Sequence, residues 1–530
     1  MVVTLHRYIF RELMKIFLLT TFALSVILCL GSVLEPIQKY GVGHKQILNL
    51  LLYFLPVTLT FVLPVASLFA STLAYGRLAG DNELDACKAS GISPATIVYP
   101  GVLLAIIVAI ANLVLSFHVM PYFIQHAESS FKANAKQILF RNIDRRGFWR
   151  TPDNKFAVYA DYADLDKNIL MGVIVIKSRD AEVEAIYYAE QAKVFFEQEE
   201  HGNMMRVAAF NAHQMGETSS MRVQNFDITE RFGSLLEDQI DFKRIDEMKR
   251  IQADPLIFYP NEERVRQICS VFSGELLYQH IKTALDTKGV YEIYPMANEP
   301  NAVSIKADKV ELGRNQDILF TGDHVEVQIF DVRTSTPLRH LTCEKAKLML
   351  EGDEFAPSLL LDLSNAKQED SIFFITTHVE QNLSLPQDMY PVIQRNRVLN
   401  TLTIDVASTF FPEGPSETLI GRLDELKTRI QRNDTKIIGT IHSRLVFGIG
   451  CIPMIIIGTG LGIIKRGGHL LTAFGASCMP ALILIVGIIC GKHVAENPDS
   501  PPALGLTIMW AGLGVLCVLT VGVYGRLNKH

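Results

Sequence analysis

The sequence predicts an α-helical membrane protein with six transmembrane helices in a 3+3 arrangement and a large extracytoplasmic β-rich domain inserted between helices 3 and 4. Three observations carry this. Apolar residues are 49% of the 530-residue chain, but they gather at its two ends, in runs near the roughly twenty residues a bilayer requires. The middle, from about Pro121 to Thr440, is polar and mixed in charge, with short runs that alternate apolar and polar residues as half-buried strands do. Lys and Arg are far more numerous in the short loops of one side than of the other.

Leu5 to Lys15 places Arg7, Arg11 and Lys15 four residues apart, on one helical face. Such a face suits anionic headgroups or is an ordinary basic flank, and either reading puts this end in the cytoplasm. Ile16 to Leu34 is the first span; a cleaved signal peptide is the rival, opposed by the length of the run and the lack of a small-residue cleavage site. Ile47 to Tyr75, bent at Pro56 and Pro64, is the second span, and Thr96 to Val119 the third, with Asn112, Ser116 and His118 placed for interhelical hydrogen bonds.

Ser129 to Arg146 is polar and basic. Strand-like runs follow at Phe156 to Ala160, Met171 to Ile176, Ala185 to Phe196, Met204 to Phe210 and Met221 to Ile228, reading as a β-sandwich or open β-roll within 121–245. Helical periodicity covers Glu262 to Leu285, and strands resume from Val303 to about Val379. YAEQAKVFF (Tyr188 to Phe196), IKADKVEL (Ile305 to Leu312) and TCEKAKLML (Thr342 to Leu350) form a faint echo that suggests a duplicated unit in an insert spanning 246–415. Pro386 to Pro415 reads as linker, and 416–440 as a charged helix leading to three spans in 441–530: Leu445 to Ile464, Leu470 to Gly491 and Leu504 to Tyr524. Gly458/Gly462 and Gly487/Gly491 have the spacing that lets helix backbones approach.

Six spans put both termini on one side. Arg7, Arg11, Lys15, Arg77, Lys88, Lys465, Arg466, Arg526 and Lys529 lie there, against Lys39, Lys45 and Lys492 in the short loops opposite, so that side is cytoplasmic. The net charge of −6 and the absence of a long basic run argue against nucleic acid. No GxSxG, HExxH, phosphate loop or Cys/His cluster is present, so the sequence predicts no enzyme, metal or bound cofactor. Cys269 and Cys343 are the two cysteines of the polar middle and could pair there.

Gly76 to Pro94, GRLAGDNELDACKASGISP, is a polar break between the second and third spans. It predicts a two-turn helix over 81–91, with Asp81 or Asn82 as side-chain cap and Lys88 and Gly91 at its end. So short a helix needs docking, through Leu84 and Cys87 on one face. NELDACKASGIS after the second span, IHSRLVFGIGCIPMIIIGTGLGIIKRGG from Ile441 and the charged helix before it together resemble the lipopolysaccharide-export permeases of the LptF/LptG family.

That resemblance implies one of two permeases set over a cytoplasmic ABC ATPase dimer that uses the ATP. The second permease belongs to the same family, and a periplasmic bridge protein of the LptC/LptA type receives the lipopolysaccharide. It implies a bacterial inner-membrane location and a β-jellyroll-like periplasmic domain. It makes 81–91 a coupling helix, with Glu83, Leu84, Cys87, Lys88 and Gly91 at the ATPase contact, although Cys87 and Lys88 stand where the family often has a larger apolar or a basic residue. The first and fifth spans would frame the lipid cavity, with Lys39, Lys45, Lys132, Lys136 and Arg141 as headgroup candidates. The 246–415 insert departs from the family pattern; it would extend the lipid path or act as a brace, and the echo favours the former. A non-transporting membrane-anchored scaffold is the alternative function.

Overall fold

The computed structural model describes residues 2–40, 44–151, 154, 156–179, 182–199, 202–215, 220–232, 239–296, 299–313, 316–334, 336–353, 356–368, 374–395, 404–411, 414–464, 470–497 and 500–527. The chain divides into two compact units, one of Met1–Arg145, Ser234–Ala253 and Gln431–His530, the other of Arg146–Gly233 and Asp254–Ile430.

The first unit is helical. It opens with α1 (Val2–Tyr40), α2 (His44–Gly80), the seven-residue α3 (Glu83–Ala89) and α4 (Pro94–Val114). A π-helical turn, Leu115–Val119, leads into α5 (Met120–Ala133) and α6 (Ala135–Arg146). Among the described residues, six helical stretches, within α1, α2, the run from α4 into α5, and three later helices, are long and apolar enough to cross a membrane. Residues 120–146 are therefore helical, and the strands begin only at Phe148: Ile138, Leu139, Phe140 and Ile143 are buried at helical spacing, so this basic segment carries an apolar stripe.

In the second unit, β1 (Phe148–Arg150), β2 (Phe156–Asp164), β3 (Ile169–Arg179), β4 (Glu182–Glu199), β5 (Gly202–Met215) and β6 (Ser220–Phe232) form an antiparallel meander in sequence order. Register aligns Ala160, Val173, Ala189 and Ala212 across four neighbouring strands, and Leu170, Ala192 and Ala209 across three. All are buried, so one face of this sheet is apolar, its alanines set among larger side chains such as Phe156, Val158 and Val207.

The chain then passes through α7 (Ile245–Ala253), of the first unit, to α8 (Tyr259–Lys288) and a second antiparallel sheet of β7 (Tyr291–Ile293), β8 (Asn301–Lys306), β9 (Lys309–Leu312), β10 (Ile318–Asp331), β11 (Pro337–Asp353), β12 (Ala356–Gln368) and β13 (Phe374–Ser384). Its order is β13-β12-β11-β10-β8-β7, with β9 also on β10. The ends curl together, since Ser384 donates its N–H to the Tyr294 carbonyl and Met296 to that of Asn382, both at 2.8 Å. Phe320, Val327, Leu348, Leu361 and Leu363 fill the interior, with Leu277 and Ile281 of α8 against them. Residues 300–380 are thus rich in strands, as a second β-unit requires. Two segments of the echo lie inside β4 and β11, each the fourth strand along its sheet's order with two more beyond it, while the third straddles the break between β8 and β9.

The segment read as linker contains α9 (Met389–Arg395) and α10 (Ile404–Phe410). Ala407 and Phe411 pack with Phe272 of α8 and Leu419, Leu423 and Leu426 of α11 (Glu417–Ile464), so the charged helix and the fourth apolar run are one helix of 48 residues. Next come α12 (Leu470–Glu496) and α13 (Pro502–Leu527). Cys269 and Cys343 are both free and sit in different cores, and burial pushes the Cys343 thiol up to about 11, so no disulfide forms.

Both glycine pairs are packing surfaces. A Cβ on Gly462 of α11 would lie 2.7 Å from the Thr72 carbonyl and 2.8 Å from the Gly76 nitrogen of α2, and one on Gly491 of α12 would lie 2.6 Å from the Gly505 carbonyl of α13. Neither backbone can yield without separating the helices. Gly462→Val is expected to destabilise the protein by roughly 1–3 kcal/mol, read as a lower melting temperature in detergent; an unchanged melting temperature would contradict the contact.

Candidate functional site

The short helix α3 sits directly after α2. Its start departs from expectation, because Asn82 adopts a left-handed conformation (φ 57°) and makes no side-chain cap; its carbonyl instead accepts the Ala86 N–H at 3.0 Å. Asparagine tolerates this geometry better than most residues. The end is a Schellman turn: Gly91 has φ 80°, its N–H reaches the Lys88 carbonyl at 2.9 Å, and the Ile92 N–H reaches that of Cys87 at 3.1 Å. Gly91 is thus required for its left-handed backbone.

Leu84 is buried, and Cys87 and Ile92 pack beside it against the core of Ile9, Leu13, Leu78, Ala79 and Ile97. Leu84 and Cys87 therefore anchor α3 to its own protein. The outward surface is Ala86, Ala89 and Ser90, with Glu83 and Lys88 partly exposed. Glu83 accepts a hydrogen bond from the Tyr8 hydroxyl at 3.3 Å, and close by in sequence Arg77 pairs with Glu12 at 2.9 Å. Tyr8 and Glu12 escaped the sequence reading. Their signal was present in the apolar spacing of Ile9, Leu13 and Phe17, which marks the docked side of what read as a basic flank.

Three of the five headgroup candidates lie among the described side chains. Lys132 ends α5, while Lys136 and Arg141 lie on α6, with Lys136 over the Phe140 ring at 5.9 Å. The side chains of Lys39 and Lys45, at the ends of α1 and α2, lie outside the described residues, as does the basic turn 465–469.

A different charged centre is built on Asp241, in the 3₁₀ turn Ile240–Phe242 that precedes α7. Its carboxylate takes an ion pair from Lys492 of α12, a second from Lys436 of α11 at 3.7 Å and a hydrogen bond from the Thr440 hydroxyl at 2.8 Å. Buried Arg444 donates to the backbone carbonyls of Asp241 and Lys243 at 2.7 and 3.0 Å and lies over the Phe117 ring. Phe242 packs on Val57, Met120 and Ile124, and Gln125 donates to Glu247 at 2.5 Å. This strap therefore fastens α2, α5, α11 and α12 together. Sequence spacing gave no sign of it, since its partners are about 200 residues apart.

Burial by itself would raise the Asp241 pKa; the charge and hydrogen bond of Lys492, with Lys436 and Thr440, outweigh it and hold the carboxyl below its usual range. A carboxyl depressed in the folded state adds stability above its unfolded pKa and loses it as pH falls through the folded value. Asp241→Asn should cost roughly 1–3 kcal/mol at neutral pH, the carboxylate being about a third exposed (32%). In melting curves the gap from the parent protein should close on acidification below the parent's carboxyl pKa; a gap independent of pH would contradict the ion-pair account.

Among the described residues there is no group of His, Cys, Asp and Glu able to hold a metal ion. The six apolar helices and the helical core that carries α3 define a multi-pass membrane protein with a small helix, docked through Leu84, between its second and third apolar elements. Residues 7–281, more than half of the chain, match the family model described as lipopolysaccharide export system permease LptF/LptG, and the chain belongs to that family. A transport component of this kind is not itself an enzyme. The chain is also 21% identical over 186 residues to an uncharacterized protein of Rickettsia prowazekii (strain Madrid E). That match covers 35% of this chain and 51% of the relative, so the chain spans about half the relative's length.

Proposed function

We propose that this chain is the permease subunit of an ABC exporter that takes lipopolysaccharide, or a related lipid, from the inner membrane and passes it to a periplasmic bridge protein. In this reading the six apolar helices span the membrane as 3+3, with the charge asymmetry placing α3 in the cytoplasm and both β-sheets in the periplasm. A cytoplasmic ATPase dimer, which supplies the ATP chemistry, engages α3, and a second permease of the same family completes the cavity.

The observation that carries the proposal is α3 itself. Its apolar residues are committed to the membrane unit, its outward side is small (Ala86, Ala89, Ser90), and Glu83 stands at its edge. A flat, small-residue helix face bordered by one carboxylate is suited to seating in a groove on another protein. The apolar face of the first sheet suits acyl chains, and the second sheet would extend that path or act as a brace. Lys39, Lys45, Lys132, Lys136 and Arg141 remain headgroup candidates, as point charges for lipid phosphates.

Glu83→Ala is expected to lower ATPase co-purification roughly tenfold, or to abolish lipid release with the ATPase still bound. Full retention of both would reject the role. Depletion separates the scaffold alternative: lipopolysaccharide accumulating in the inner membrane fits the exporter, and unchanged lipid distribution fits the scaffold.

A further inference from the structure

The amino-terminal turns of α1 are more than a basic flank. His6 contacts the Thr96 carbonyl through Nε2 at 3.0 Å and stacks on Tyr99, at the start of α4. Tyr8 donates to Glu83 of α3. Ile9 and Leu13, fully buried, enter the core that holds Leu78, Ala79, Leu84 and Ile97. Glu12, whose side chain is only 15% exposed, pairs with Arg77 at the end of α2 at 2.9 Å and with Lys15 at 3.4 Å. Residues 6, 9 and 13, with 8 and 12, follow i, i+3, i+4 spacing, so a docked sector of α1 contacts α2, α3 and α4 together while Arg7, Arg11 and Lys15 stay exposed.

We propose that these first turns belong to the coupling element, with Tyr8 and Glu12 as positioning residues that lock α1 to α3 and to the end of α2, so that displacement of α3 carries the first apolar helix with it. The proposal rests on the coupling reading of α3 and deepens it. A seven-residue helix cannot transmit a push along its own axis for any distance; what it displaces is whatever is packed against it. Here that is the end of α2 and, through a shared apolar core, the Tyr8–Glu83 hydrogen bond and the Glu12–Arg77 pair at the end of α2, the first turns of the 39-residue α1. The two polar contacts lie at the exposed rim of the seam, where Tyr8 meets Glu83 and Glu12 meets Arg77.

The test uses the full permease complex with its ATPase, reconstituted with lipopolysaccharide. Tyr8→Phe keeps the ring and removes the donor; Glu12→Arg sets two cations face to face; Glu12→Arg with Arg77→Glu restores the pair in reverse. Both single changes should keep the ATPase bound in pull-downs while the lipid released per ATP hydrolysed falls about fivefold, and the swap should recover most of it. A merely structural role would lower assembly and leave that ratio unmoved, which would overturn the proposal. An unchanged ratio in Tyr8→Phe also overturns it, and decides the matter alone if Glu12→Arg fails to assemble. Glu83→Ala run in parallel separates the two levels. If it loses the ATPase while Tyr8→Phe is neutral, only the role of α1 falls; if it too is neutral, the coupling reading falls and takes this proposal with it.

Discussion

The helical unit closes where α2, α4 and α11 meet with almost no side-chain spacing between them. Tyr75 is fully buried there and donates its hydroxyl to the Ile97 carbonyl at 3.0 Å. A Cβ on Gly101 of α4 would lie 3.1 Å from the Thr459 hydroxyl of α11 and 3.3 Å from that of Tyr75, and Gly462 lies against the backbone of Thr72 and Gly76. In a bilayer, where hydrophobic association between helices is weak, packing this close is a main source of attraction. It also determines where α2 ends, and so where α3 can begin.

The dependence of α3 on its surroundings follows from elementary helix energetics. Seven residues cannot offset the cost of nucleation in water, so the helix exists because Leu84 is buried and Gly91 closes its last turn. The other fastening in the unit uses opposite physics. Around Asp241, three cationic side chains from two helices converge on one short turn through its carboxylate and backbone carbonyls, with a threonine hydroxyl completing the set. Small-residue packing tolerates no added volume, and a charge cluster tolerates no lost partner, so substitutions should act oppositely in the two places.

Much of this was legible in the sequence, for physical reasons. Six apolar runs declare themselves by length, and the NELDACKASGIS stretch by its polarity between two of them. Leu84 and Cys87 were readable as a docking pair because helical spacing is local. What escaped was either non-local or conformationally particular. Asp241 finds Thr440 and Lys492 across 199 and 251 residues, a pairing that no periodicity encodes. Asn82 was expected to cap by its side chain and instead bends the backbone, two uses of the same residue that sequence cannot separate. The basic segment before the first strand concealed an apolar stripe, and of the three echo segments two lie in strands at the same position of their sheets while the third spans the break between β8 and β9.

The two sheets share antiparallel construction and a buried apolar face, with α8 packed against the second. The account nonetheless stands on α3 as the place where an external ATPase engages the chain. The direct measurement is a photoreactive side chain at the exposed position Ala86, activated in intact cells. The account predicts a covalent adduct with a cytoplasmic ATP-binding protein. Adducts confined to lipid or to periplasmic proteins would contradict it.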